Sequence, residues 1–259
     1  MAVARPILGL IALVFLAGGI VLQFLVVLSG LETMPENQIY FLQARLPNNA
    51  QGIPNPVRWT WLRLCGVDGQ TDLNANCLAT AADVPFSPVD NFSGTNAANN
   101  LPSTFADNRN YWYYLSRIGW AFYIIALFFA ALAIFTGLLA LCTRLGAYLS
   151  SSFTFLAVGM QAVAASLMTA WVVGGYRAFN NAGLEAQYGV KAIAFTWAAF
   201  AAWSIATILF CVGGALGGKR NTEDYGHEKK GLFRRNKSTR SRGSFRDADS
   251  GRRVKDDYE

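Results

Sequence analysis

VRWTWLRLCGVDGQTDLNANC, residues 57–77, is the stretch on which the fold of this chain turns. Val57, Trp59 and Trp61 alternate with Arg58 and Thr60, which is the period of a half-buried strand. The run leads into Cys65, Gly66-Val67-Asp68-Gly69 supplies turn residues, and Cys77 closes the stretch. Two tryptophans, the arginine beside them and two cysteines so close together describe a small platform, with Arg58, Trp59 and Trp61 as its motif. What the platform does depends on its surroundings, because the flanking sequence is apolar in long blocks.

The 259 residues are 53% hydrophobic and 15% charged, against about 25% charged in a soluble domain. Residues 7–28, 118–141, 153–175 and 192–216 contain no charge, and each block exceeds the roughly 18–20 residues of a membrane-crossing helix. Soluble helices rarely stay uncharged around their whole circumference. Arg5 precedes the first block. That block is longer than the ~7–15-residue core of a signal peptide and no small-residue cleavage site follows closely, so a retained helix is expected. Lys219–Glu259 holds 13 Lys/Arg and 8 Asp/Glu, +5 of the net +6. By the positive-inside rule both termini face the cytosol, in agreement with Arg5 and Arg144. Residues 31–116 and the shorter 176–191 then lie outside.

The expected fold is a membrane α-helical protein: a four-helix bundle over residues 1–217 and a basic, disordered cytosolic tail over 218–259. The long outer segment has strand-like runs, Gln38–Leu42 and Val57–Leu64, between turns rich in Pro and Asn, and predicts a small antiparallel sheet on the helix ends. Residues 83–101 read as an irregular, mobile loop. That loop carries Asn91-Phe92-Ser93, a glycosylation sequon on the outer side, with Asn91 the candidate site. Asp68, Asp72, Asp83, Asp90 and Asp107 sit at turn-like positions and read as solvated. NYWYYLSRIGW, residues 110–120, reads as an interfacial aromatic belt with Arg117 snorkelling outward.

Inside the spans, Gly18-Gly19 permits close helix approach and Gln23 predicts an interhelical hydrogen bond. A short link, residues 143–151, makes spans two and three antiparallel neighbours. Small residues recur every four positions, as Ala162, Ser166, Ala170 and Gly174 in the third span and Ala194, Ala198, Ala202 and Ala206 in the fourth. Such stripes pack helices within the bundle or between protomers. No Asp, Glu, Lys, Arg or His interrupts a span, which argues against pumps, voltage sensors and most secondary transporters.

In the tail, Lys229, Lys230, Arg234, Arg235, Lys237, Arg240, Arg242 and Arg246 form a candidate site for anionic lipid, worth about 1 kcal/mol per basic residue near the surface. Ser238, Thr239, Ser241 and Ser244 lie among them as phosphorylation candidates. Cys65 and Cys77, on the oxidising side, are expected to form a disulfide worth about 3 kcal/mol. Cys142 and Cys211 are expected to pack at the inner ends of their spans, with Cys142 a palmitoylation candidate. The lone histidine, His227, falls in the tail, so no Ser–His or Cys–His pair can be assembled in an ordered site. No enzyme, cofactor, metal or nucleic-acid partner is implied.

Four spans, a long first outer loop with Trp then Cys…Cys, and a short second loop resemble the claudin-like tetraspan proteins. The claudin Gly-Leu-Trp run is not reproduced, since Trp59-Thr60 precedes Trp61. The sequence more closely resembles the fungal Sur-seven/PalI family. The residues that carry the resemblance are Pro54-Asn55-Pro56-Val57-Arg58-Trp59-Thr60, Cys65-Gly66-Val67 and residues 114–123, YLSRIGWAFY. The resemblance implies a structural protein of eisosome-associated plasma-membrane domains, seen as cortical patches. It would link membrane organisation to cell-wall integrity, endocytosis and stress response. Implied partners are phosphoinositides, sterol or sphingolipid, further copies of the chain, eisosome coat proteins and cell-wall components. The alternatives are a claudin-like pore and an accessory subunit of a pH or stress sensor.

Overall fold

The computed structural model describes residues 4–33, 35–46, 53–141 and 143–216. The tail with all its basic and phosphorylation candidates, and Cys142, lie outside the described residues. Among the described residues, four helices are long and apolar enough to cross a membrane. They are α1 (Ala4–Val27), α4 (Arg109–Ala140), α5 (Arg144–Asn181) and α6 (Val190–Leu216). Two short helices, α2 (Pro88–Asn91) and α3 (Ser103–Asp107), lie in the segment between α1 and α4. α4 packs along α5 and α1 along α6, and contacts of α5 with α6 and of α1 with α4 close the bundle.

Two helices outrun the expected spans. α4 begins at Arg109, so the whole aromatic belt is helical. α5 has 38 residues, about 57 Å at 1.5 Å per residue and well beyond a ~30 Å hydrocarbon core. The surplus carries Trp171 and Phe179 into the cap. The expected link at 143–151 is almost entirely helix: α5 starts at Arg144, and the Thr143 hydroxyl caps it by accepting from the Gly146 amide at 3.1 Å.

The four-residue stripes do not form the bundle interior. A step of four residues advances about 400° around a helix, so such a row drifts roughly 40° per step off its face. Ser166, Ala170, Ala194 and Ala198 are exposed, Ala162, Gly174 and Ala202 are half-buried, and only Ala206 is buried. The buried rows alternate steps of three and four. α6 uses Ala192, Thr196, Ala199, Trp203, Ala206 and Phe210, and α4 uses Tyr123, Ala126, Ala130, Ala133, Gly137 and Ala140. Gly19 behaves as expected, since a Cβ there would run into the Trp203 indole nitrogen, whereas Gly18 faces open space. Gln23 also behaves as expected: its Oε1 accepts from Gln161 Nε2 at 3.0 Å, joining α1 to α5. Cys211 is exposed rather than packed, with Ser151 Oγ 2.8 Å from its sulfur.

The cap is an antiparallel sheet ordered β4-β3-β2-β1-β5. Its strands are β1 (Leu42–Ala44), β2 (Val57–Trp59), β3 (Leu64–Val67), β4 (Asn74–Ala75) and β5 (Ala186–Tyr188). Residues 57–64 are two strands rather than one, because Thr60 Oγ1 accepts from the Arg63 amide and donates to the Arg63 carbonyl, folding a turn at 60–63. Gly66 and Val67, expected in a turn, belong to β3. The register pairs Leu42 with Trp59 on one side of β1 and with Tyr188 on the other. β5 comes from the short second loop and ties α5 and α6 into the sheet.

Candidate functional site

The cap is assembled around β2, and its two faces are buried by different chemistry. Val57 and Trp59 enter an apolar core, and Trp61 follows on the same face. The Trp59 ring meets Phe86, Phe92 and Phe179 at 5.3, 5.7 and 5.8 Å between centroids. Trp61 sits lower, with Phe41 at 4.8 Å, Tyr123 of α4 at 5.8 Å and Trp171 of α5 at 6.0 Å. Aromatic pairs at such spacings add about 0.5–1.5 kcal/mol each beyond their burial. One continuous core therefore runs from the sheet into the top of the bundle.

Arg58 points to the other face, and it is not solvated as strand alternation predicts. It is 1% exposed because the 68–74 turn folds back across it. Its Nε donates to Gln43 Oε1 at 2.7 Å, one Nη to the Asp72 carbonyl at 2.9 Å and Asn74 Oδ1 at 3.2 Å, and the other to Asp72 Oδ1 at 2.5 Å. The guanidinium lies 4.1 Å from the Tyr40 ring centroid. A buried cation needs this number of partners to offset its lost hydration. Cys65 and Cys77 are bonded, as expected, and clamp the β3–β4 hairpin that carries this turn.

The 83–101 segment is not the loose loop its composition suggests. Phe86, Phe92 and Ala97 are buried in the aromatic core, and Pro88 opens α2. Asn91 is half-buried there; its Oδ1 accepts from Trp59 Nε1 at 3.1 Å and from the Ser87 amide at 3.3 Å. Trp112 of the aromatic belt is also core, 5.7 Å from Phe86, while Tyr111 and Tyr114 face outward as an interfacial belt should.

Three carboxylates expected in solvent are paired. Asp72 holds Arg58, Asp83 accepts from Arg117 Nε at 2.9 Å, and Asp90 pairs with Arg109 and accepts from Ser87 Oγ. Arg117 therefore bonds inward to the cap as well as to Tyr113. Burial pushes the Asp83 carboxyl above its ordinary value, against the pull of Arg117. At Asp90 burial acts upward too, but hydrogen bonds from Arg109 and Ser87 and the Arg109 charge hold the carboxyl below its ordinary value. Asp68 is lowered chiefly by the hydrogen bond from Thr71. The Asp83–Arg117 and Asp90–Arg109 pairs brace the 83–101 segment against α4, while Asp72–Arg58 ties the 68–74 turn to β2.

Sequence reasoning located Trp59, Trp61 and the disulfide but missed their partners. Phe86, Phe105, Trp112, Trp171 and Phe179 are scattered over about ninety positions, and no spacing links them. Asp72 carried one available signal: it lies in a turn within reach of the only arginine in the 57–61 run.

The family model described as SUR7/PalI family matches residues 8–209, which takes in the cap and most of all four long helices. A protein described as SUR7 family protein FMP45 of Saccharomyces cerevisiae is 39% identical over 74% of this chain and 62% of its own length. The protein SUR7 of Candida albicans is 38% identical over 78% of this chain and 72% of its own length. A Saccharomyces cerevisiae protein described as an uncharacterized plasma membrane protein is 32% identical over 72% of this chain and 62% of its own length. The chain thus spans less than two thirds of the length of two of these three relatives. The shared region is the bundle together with its aromatic, disulfide-clamped cap, and the chain belongs to the SUR7/PalI family.

Proposed function

We propose that this protein is a structural organiser of plasma-membrane domains of the eisosome-associated kind. The observation that carries the reading is the family match over bundle and cap together, with a relative described as a plasma membrane protein. In this reading the cap faces outward, where a disulfide is stable, and both termini face the cytosol. The exposed small residues Ser166, Ala170, Ala194 and Ala198 provide smooth lateral surfaces for self-association. The basic tail meets anionic phosphoinositide or the cytosolic coat, and phosphorylation among its arginines releases it. The cap contacts neighbours or wall material, and the whole couples membrane organisation to cell-wall integrity, endocytosis and stress response. The role is architectural rather than catalytic. A glycan on Asn91 belongs to the same proposal, since attachment at its nitrogen leaves the Oδ1 bonds to Trp59 and Ser87 in place.

Fluorescence imaging of the tagged full chain in living cells tests this reading. The expected result is cortical patches that do not recover after photobleaching. A uniform, freely recovering signal overturns it.

A further inference from the structure

We propose that the cleft between the cap and the start of α6 binds a sugar ring. The cleft encloses about 330 Å³ and is lined by Gln38, Tyr40, Thr71, Asp72 and Lys191 among others. That volume is at the lower end of the ~300–1,000 Å³ typical of small-molecule sites. Its walls combine an aromatic ring, an amide, a hydroxyl, a carboxylate and an ammonium. Each hydroxyl of a pyranose both donates and accepts, so it is matched by a mixed set of donors and acceptors and by an aromatic body. Other small ligands match less well. The Asp72 carboxylate opposes a phosphate and Lys191 opposes a free cation, while Leu73 and Val190 beside Tyr40 offer the apolar wall on which the C–H face of a sugar rests.

The cleft is also preorganised. Buried Arg58 backs the Tyr40 ring at 4.1 Å and holds Asp72 Oδ1 at 2.5 Å. The Asp72 side chain nevertheless stays 81% exposed, so its carboxylate is fixed from behind and open in front. Lys191 Nζ donates to Gln38 Oε1 at 2.5 Å, joining α6 to the cap across the site. Groups already held in place lose little freedom on binding. The Arg58 cluster, otherwise an expensive buried charge, thereby acquires a purpose: it positions the two side chains that face the ring.

The same ring chemistry arrives either on a soluble polysaccharide end or as a glycolipid head. The site deepens the organiser reading by giving the cap a ligand class, and it rests on the cap facing outward only for where the sugar is met. Binding is measured on isolated protein, so this test and the patch imaging fail independently.

The full chain in lipid nanodiscs is titrated with a soluble glucose hexasaccharide, and separately presented with glucosylceramide in the nanodisc, by ligand-observed NMR. Saturable binding to at least one probe is expected, and the probe that binds identifies the source. Lys191→Met and Asp72→Asn each weaken it about tenfold, the loss of one well-placed hydrogen bond. Lys191 is exposed, so its replacement leaves folding intact and decides the matter if Asp72→Asn destabilises the turn. No binding to either probe, or undiminished binding by Lys191→Met, overturns the proposal.

Discussion

The upper and lower cores of this protein are made of different residues. Where the cap meets the bundle, the interior is Trp59, Trp61, Phe41, Phe86, Phe92, Phe105, Trp112, Trp171 and Phe179. In the lower bundle it is Ala12, Ala126, Ala130, Ala133, Ala140, Ala147, Ala157 and Ala206, with Leu16, Trp203 and Phe210 as the few large members. The cap folds in water, where removing large apolar rings from solvent is the main driving force. The lower bundle is surrounded by lipid, where that force vanishes and close backbone approach replaces it. One chain thus solves two packing problems, and the boundary between them lies near Tyr123 and Gln161.

Each of the two cores can be perturbed on its own. Trp61→Ala, which removes the ring shared by cap and bundle, should cost about 3–5 kcal/mol, read as a large fall in thermal stability of the detergent-solubilised protein. Cys65→Ser should follow at about 2–5 kcal/mol and impair surface delivery, measured by cell-surface labelling. Unchanged expression and delivery would show that the aromatic core alone holds the hairpin. In the lower bundle the damaging change is addition rather than removal. Gly19→Leu forces a side chain into Trp203 and should cost about 1–3 kcal/mol, while Gly18→Leu, facing open space, should be neutral. Equal effects of the two in a thermal-shift assay would refute the close-approach account.

Smaller effects sharpen the boundary. Gln161→Leu removes the bonds to Gln23 and to the Thr196 carbonyl and should cost only about 0.6 kcal/mol for each, the average for polar pairs in membranes. The pH dependence of the cap should divide between two carboxylates. Asp90 is held below its ordinary value of 3.8, so its contribution is present above that value and lost as pH falls through the lower, folded-state value. Asp83 is raised above 3.8, so its contribution is present below 3.8 and lost as pH rises through its higher folded-state value. Acid titration followed by tryptophan fluorescence should therefore show Asp90→Asn flattening the acid loss, and Asp83→Asn slightly stabilising the cap at neutral pH.

Much of this was legible in the sequence where a pattern is local. Uncharged blocks announce spans, and Trp59, Trp61, Cys65 and Cys77 announce a cap. What was not legible depends on partners brought from afar. Arg58 follows strand alternation onto a face that should be wet, and only the fold of residues 68–74 makes it dry. Residues 83–101 have loop composition, yet Phe86 and Phe92 anchor the segment in the aromatic core. The small-residue stripes leave the bundle interior for a geometric reason, since a period of four drifts off the helix face within a few turns while the alternating rows of α4 and α6 stay on it. β5 is three residues long and exists only because β1 offers it an edge.

The central structural claim is that cap and upper bundle share one core. Hydrogen exchange of the full chain in lipid nanodiscs, before and after introducing Trp61→Ala, tests it most directly. The expected result is that residues 57–67, 84–92 and the upper end of α5 at 168–179 lose protection together, while the lower bundle around Ala130 and Ala206 stays protected. Loss confined to residues 57–67, with the top of α5 unchanged, would contradict a shared core and leave the cap as a separate body.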